Sequence, residues 1–142
     1  MLSPIDWKKS KTIVEFGPGT GVMTREILKR MGDAKLVAFE VNDAFSQKLQ
    51  AIKDKRFTLM KRGAETLNFD ADVIISSLPL TSFPAALRDR ILVNAAQHLN
   101  GGPFVQFQYF RPRAPFLRKH FSEISRTWVP LNIPPAFVYC CR

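Results

Sequence analysis

The segment Glu15-Phe16-Gly17-Pro18-Gly19-Thr20-Gly21 constrains this chain more than any other. The run before it, Thr12 to Phe16, is β-branched and aromatic and reads as a buried strand. The residues after it change period: Val22, Met23, Ile27, Leu28 and Met31 fall on one helical face, with Arg25, Glu26, Lys29 and Arg30 opposite. A glycine turn that joins a buried strand to an amphipathic helix is the opening unit of an alternating α/β fold. Gly32 stands where a C-terminal capping glycine belongs.

The alternation continues. Leu36–Val41 reads as a second strand, and Asp43 as the cap of a helix carrying Phe45, Leu49 and Ile52. Phe57–Met60 and Asp72–Ser76 read as strands three and four. Ser82 is the expected N-cap of the next helix, with Pro84 in its first turn and Leu87, Ile91, Leu92, Ala95 and Leu99 as its stripe. Phe104–Tyr109 alternates as strand five, a short helix is expected near Ala114–Phe121, and strands near Glu123–Val129 and Ala136–Cys141 follow. No helix separates the last two, so an antiparallel hairpin is expected at one edge. The expected fold is a single Rossmann-like α/β domain over residues 1–142, with a mainly parallel sheet and helices on both faces. At 142 residues with 46% apolar content, the chain buries a core without a metal or disulfide staple.

Twenty-one Lys and Arg against 12 Asp and Glu give a formal charge of +9, which favours anionic partners. The excess is uneven: after Asp89 the only acid is Glu123. No apolar run approaches the ~18 residues of a bilayer span, and no leader pattern opens the chain. The expected location is cytoplasmic, with any membrane work done from one side. Cys140 and Cys141 are adjacent and match no metal-ligand spacing, so no metal is expected. His98 and His120 read as surface or packed residues.

Three cofactor chemistries compete for the glycine loop. A P-loop needs Gly-Lys-Ser/Thr, which is absent. A dinucleotide fingerprint needs glycine where Val22 stands, and that side chain crowds a pyrophosphate. S-adenosylmethionine has no pyrophosphate, and an acid before the loop, Glu15, suits its cationic amino-acid end. Glu40 ends the second strand 23 residues beyond Gly17, where a carboxylate accepts from two ribose hydroxyls. The turn Ser76-Ser77-Leu78-Pro79-Leu80 ends strand four, at the edge where open α/β sheets bind ligands. Pro79 fixes that turn, and Tyr109 ends strand five on the same edge.

Val14 to Gly21 with Glu40 resembles the class I S-adenosylmethionine-dependent methyltransferases. Within them, Ser76–Leu80 followed by Phe83-Pro84, then Gln106–Tyr109, then Trp128 with Asn132–Tyr139, is similar to the bacterial phospholipid N-methyltransferases. The resemblance runs from about residue 12 to the end. It implies methylation of the amine of phosphatidylethanolamine or its methylated derivatives at the inner face of the membrane. It also implies a cofactor site of Glu15, Phe16, Gly17, Pro18, Gly19, Thr20, Gly21, Glu40, Val41, Gly63, Ala64 and Glu65. The reaction is expected at Ser76, Ser77, Leu78, Pro79 and Tyr109, and substrate contact at Leu80, Tyr109, Arg111 and Arg113.

The related ribosomal RNA adenine dimethylases carry an aromatic where Leu80 stands, so leucine favours an aliphatic amine over a stacked base. Gly63 replaces an Asp that in many relatives contacts the adenine, leaving that role to Ala64 or Glu65. The N-terminal amphipathic helix that covers the cofactor in relatives is expected to be missing. An anionic membrane and its phospholipid are the expected partners, with nucleic acid second. Two other functions stay open: an RNA adenine methyltransferase, and a truncated cofactor-binding module without turnover.

Overall fold

A computed structural model describes residues 2–109, 115–130 and 135–142. Among these residues seven strands form one sheet: β1 (Thr12–Phe16), β2 (Lys35–Phe39), β3 (Phe57–Met60), β4 (Val73–Ser76), β5 (Phe104–Tyr109), β6 (Ile124–Val129) and β7 (Ala136–Cys141). Their order is β3-β2-β1-β4-β5-β7-β6. The first five pair in parallel, and β7 is antiparallel to both β5 and β6, giving the expected hairpin edge.

Among the described residues, three helices, α1 (Val22–Arg30), α2 (Asp43–Gln50) and α3 (Ala85–His98), and three short 3-10 turns connect the strands. Helix α1 buries Ile27 and Leu28 against Ile13, Leu36, Val73 and Ile75 on one face of the sheet. Helix α3 buries Ile91, Leu92 and Ala95 against Val14, Phe16, Ile74 and Phe104 on the other. Strands covered on both faces are nearly all apolar, as a parallel sheet requires.

Several local expectations are corrected. Val22 is 69% exposed, because α1 starts there and turns its buried stripe to Thr24, Ile27 and Leu28. Gly32 does not cap α1; the cap is Met31 in extended backbone. The last carbonyls of that helix are bound instead by Arg56, which donates to the carbonyls of Leu28 (3.0 Å), Met31 (2.8 Å) and Gly32 (2.7 Å). Arg56 also pairs with Asp54 at 2.6 Å, and its hydrogen bonds pull that carboxyl down to about 2. Asn42, not Asp43, caps α2 by accepting from the Phe45 amide at 3.1 Å. Ser82 ends a 3-10 turn, and Pro84 precedes α3 without a side-chain cap. The short helix expected near Ala114 is a 3-10 turn at Pro115–Lys119. Residues 2–11 carry packing that periodicity did not reveal: Leu2 and Ile5 are buried in the α1-side core.

Candidate cofactor and acceptor site

The carboxyl ends of β1, β2 and β4 are stitched together just where the chain leaves them. The amide of Gly17 donates to the Phe39 carbonyl (3.0 Å), that of Glu40 to Met60 (3.0 Å), and that of Ser77 to Phe16 (3.0 Å). The first residue of each exit is thereby held, and the loops beyond it form a shelf.

Two glycines explain the shape of that shelf. Gly17 has φ +68°, and a β-carbon there would meet Leu78 Cδ2 at 2.6 Å, so its lack of a side chain lets the acceptor turn close over the loop. Gly19 has φ +57° and nothing within 4 Å of where a β-carbon would stand. Its amide donates to Glu40 Oε2 at 3.1 Å, while Glu40 Oε1 accepts from the Asn42 amide at 2.9 Å. The carboxylate is thus fixed at the lip of open space, and each oxygen keeps a lone pair for a further donor. Val22 and Val41 flank the same region at 69% and 72% exposure.

Glu15 lies under the loop with no exposed surface. Its Oε2 accepts from the Thr24 hydroxyl at 2.7 Å, and its Oε1 has no hydrogen-bond partner. Burial pushes its pKa up to about 7; the Thr24 hydrogen bond opposes this and the nearby Glu40 carboxylate adds to it. A buried, half-partnered carboxyl beside an open glycine shelf suits a ligand that brings a cation. Two carboxyls at one shelf are compatible with S-adenosylmethionine, whose amino-acid end is cationic and whose ribose hydroxyls donate.

Other expected cofactor residues fall on the same edge. Pro18 is buried and Thr20 exposed, and the Gly21 amide closes a turn onto the Pro18 carbonyl at 2.9 Å. Phe16 is a correction: its ring is fully buried, packed edge-on to Phe39 at 5.7 Å, and faces the core. After β3, Gly63 leads into the turn Ala64–Thr66. The Glu65 carboxylate folds over Gly63, and a β-carbon there would collide with it. Asn94 on α3 donates to the carbonyls of Glu65 and Leu67 and pins this turn; the sequence reading missed it.

At the acceptor turn, Ser76 is fully buried, and its hydroxyl accepts from the Leu78 amide at 3.4 Å. Ser77 and Leu78 are half-buried and Pro79 is exposed. The Leu78 carbonyl is already engaged twice, by Gln106 Nε2 (2.9 Å) and by the Leu80 amide (2.8 Å). Both lone pairs are used, which removes it as an acceptor for an incoming amine. Leu80 is the larger correction: it has no exposed surface and packs in the α3-side core, so it anchors the turn rather than meeting substrate.

Tyr109 is not brought to the turn. It is 47% exposed and packs edge-on to Phe107 at 4.7 Å, on the sheet face opposite Gln106. Arg111 and Arg113 lie outside the described residues, as do Asn132, Ile133 and Pro134 of the tail motif. His98 sits 3.2 Å from Asp70 and His120 3.7 Å from Asp89, both away from the shelf. Both cysteines are free thiols, and among the described residues no cluster could hold a metal.

The parallel sheet, the glycine shelf and the two acids define a class I S-adenosylmethionine-dependent methyltransferase. Comparison with known proteins agrees. Residues 1–100 match the family model for ribosomal RNA adenine dimethylase. An ornithine lipid N-methyltransferase of Singulisphaera acidiphila is 31% identical across 97% of this chain and 79% of its own length. A ribosomal RNA small subunit methyltransferase A of Dehalococcoides mccartyi is 31% identical, over 70% of this chain and 36% of its own length.

Among solved structures, the N-methyltransferase NodS of Bradyrhizobium japonicum with S-adenosyl-L-homocysteine superposes with a TM-score of 0.77 at 13% identity, covering 94% of this chain and 78% of NodS. The methyltransferase SibL gives 0.75 at 15% identity; the match covers 99% of this chain, which spans about half of SibL (53%). The chain belongs to the ribosomal RNA adenine dimethylase family of methyltransferases, and its cofactor is S-adenosylmethionine.

Proposed function

We propose that this chain methylates the amine of a membrane lipid headgroup, of the phosphatidylethanolamine or ornithine-lipid kind, at the membrane surface. The observation that carries this reading is the relative matched along nearly the whole chain, which methylates a lipid amine by name. The acceptor turn supports it: Ser77, Leu78 and Pro79 offer an incoming group no aromatic ring to stack on.

In this reading Glu40 accepts from the ribose hydroxyls, and Glu15, buried beneath the loop, supplies negative charge that attracts the ammonium of the amino-acid end without touching it. Val22 and Val41 flank the adenine, whose edge meets the Gly63–Glu65 turn. Bound S-adenosylmethionine supplies a methyl group already activated on a sulfonium. The protein's part is alignment, bringing a neutral nitrogen in line at about 3–3.5 Å. With the Leu78 carbonyl engaged, the Ser77 carbonyl is left to accept an amine N–H. Gln106 is a positioning residue that holds the turn from below.

A second reading, methylation of an RNA adenine, is favoured by the family model over residues 1–100 and by the charge of +9. Separate incubations with methyl-labelled cofactor test the two. One holds vesicles of phosphatidylethanolamine with phosphatidylglycerol, one ornithine-lipid vesicles, one total RNA. Label extracted with either lipid supports the proposal; label only in RNA replaces it with the second reading.

A further inference from the structure

The sheet edge beyond β5 carries a feature that cofactor binding does not use. Register places Tyr109 of β5, Ala136 of β7 and Val129 of β6 side by side, with Trp128 one residue back. Trp128 is 59% exposed, and among the described residues Trp128 and Tyr109 are the exposed large aromatic side chains. They leave on opposite faces of the sheet: Tyr109 lies with Phe107, while Trp128 pairs across from Phe137 on the face that carries Arg126. Exposed Pro130 follows directly. The result is a thin rim with a ring on each side. Tryptophan and tyrosine, apolar in body and polar at the tip, suit the boundary between water and lipid.

Charge points to the same partner. From residue 90 onward the only acid is Glu123, and its backbone pairs with Arg142 at the far end of β6. Arg126 stands two residues before Trp128 on the same face of β6, with its guanidinium over the Phe137 ring. The rim also stands on the edge that carries the acceptor turn. Ser76 of β4 pairs with Gln106, so Tyr109 lies three residues further on, about 10 Å along the strand.

We propose that this rim docks the protein on an anionic bilayer, with Trp128 and Tyr109 entering the interface. A headgroup amine then reaches the Ser77–Leu78 turn without leaving the membrane surface. The proposal rests on the lipid reading above. A rival basic region lies at the opposite end of the sheet: a cavity of about 720 Å³ lined by Trp7, Lys8, Lys11, Arg30 and Lys35 among others. Docking there would turn the acceptor turn away from the lipid.

The chain's tryptophans, Trp7 and Trp128, sit at these two ends, so fluorescence separates them. The probe is vesicles of phosphatidylethanolamine and phosphatidylglycerol with brominated acyl chains, added to the Trp7→Phe and Trp128→Phe proteins. The rim account expects quenching of Trp128 and none of Trp7. Trp128→Ser should weaken vesicle binding roughly tenfold or more while leaving cofactor affinity unchanged. Quenching of Trp7 instead, or equal loss of binding in a Lys8→Glu/Lys11→Glu protein, overturns it. Methyl transfer to detergent-dispersed lipid is read in parallel. Quenching of Trp128 without any lipid methylation keeps the docking and removes the lipid acceptor. Methylation of dispersed lipid with no quenching of Trp128 does the reverse.

Discussion

Glu15→Gln is the most informative single substitution, because the energetics of Glu15 follow from its surroundings. Its carboxyl is fully buried, one oxygen bonds Thr24 and the other has no partner. The fold raises its pKa from 4.5 to about 7. Between those two values the folded protein holds a proton that the unfolded chain has released. Stability therefore falls as pH rises through that window, and the full penalty is present above about pH 7. The shift corresponds to about 3 kcal/mol.

Glutamine has the same shape, still accepts from Thr24 and does not ionise. Denaturant unfolding from pH 5 to pH 8 should show the wild-type protein losing up to about 3 kcal/mol relative to Glu15→Gln, with the variant the more stable at pH 8. Cofactor binding should have the opposite sign. A bound ammonium favours the ionised carboxyl, so wild-type affinity for S-adenosylmethionine should rise with pH through 7, and that rise should vanish in Glu15→Gln. Parallel stability curves for the two proteins would refute the burial argument. A pH-dependent affinity that survives the substitution would refute the assignment of Glu15 to the cofactor.

Other outcomes follow from the same geometry. Gly19→Ala forces a β-carbon into the open shelf at positive φ; it should cost about 1–2 kcal/mol in stability, and calorimetric titration should show a larger loss of cofactor affinity. Gly17→Ala pushes on Leu78 as well, and thermal unfolding should show it the less stable of the two. Glu40→Ala removes both oxygens proposed to hold the ribose and should abolish measurable cofactor binding at micromolar concentrations without unfolding the protein. Gln106→Leu frees one lone pair of the Leu78 carbonyl and loosens the turn; turnover should fall at least tenfold while cofactor affinity changes less than twofold.

The order of elements was legible because each junction changed the hydrophobic period, and the tail hairpin because no helix-forming run separated its strands. Helix ends were less legible. Ser82 and Asp43 both look like caps, but Asn42 made the bond at one helix and Pro84 stood without one at the other. The glycine loop and Glu40 were readable because spacing alone puts them at neighbouring strand ends.

Gln106 was not readable from its own strand. Phe104 to Tyr109 alternates as though Gln106 and Gln108 faced water, yet both are buried on the face that holds Phe104. The usable signal was the sheet: an interior strand of an α/β sheet is covered on both faces, so a glutamine within it must find a partner. Leu80 failed for a related reason. Motif position suggested contact with substrate, but an aliphatic side chain at the start of a short turn was drawn into the core instead.

The central claim is that the acceptor is a lipid amine, and competition in one tube tests it most directly. Vesicles of phosphatidylethanolamine with phosphatidylglycerol and an equal mass of total RNA would share one pool of methyl-labelled S-adenosylmethionine, and the label would be traced to its nitrogen. The account predicts label on the headgroup amine, increasing with vesicle concentration and insensitive to added RNA. Label on adenine, undiminished by added vesicles, would contradict it.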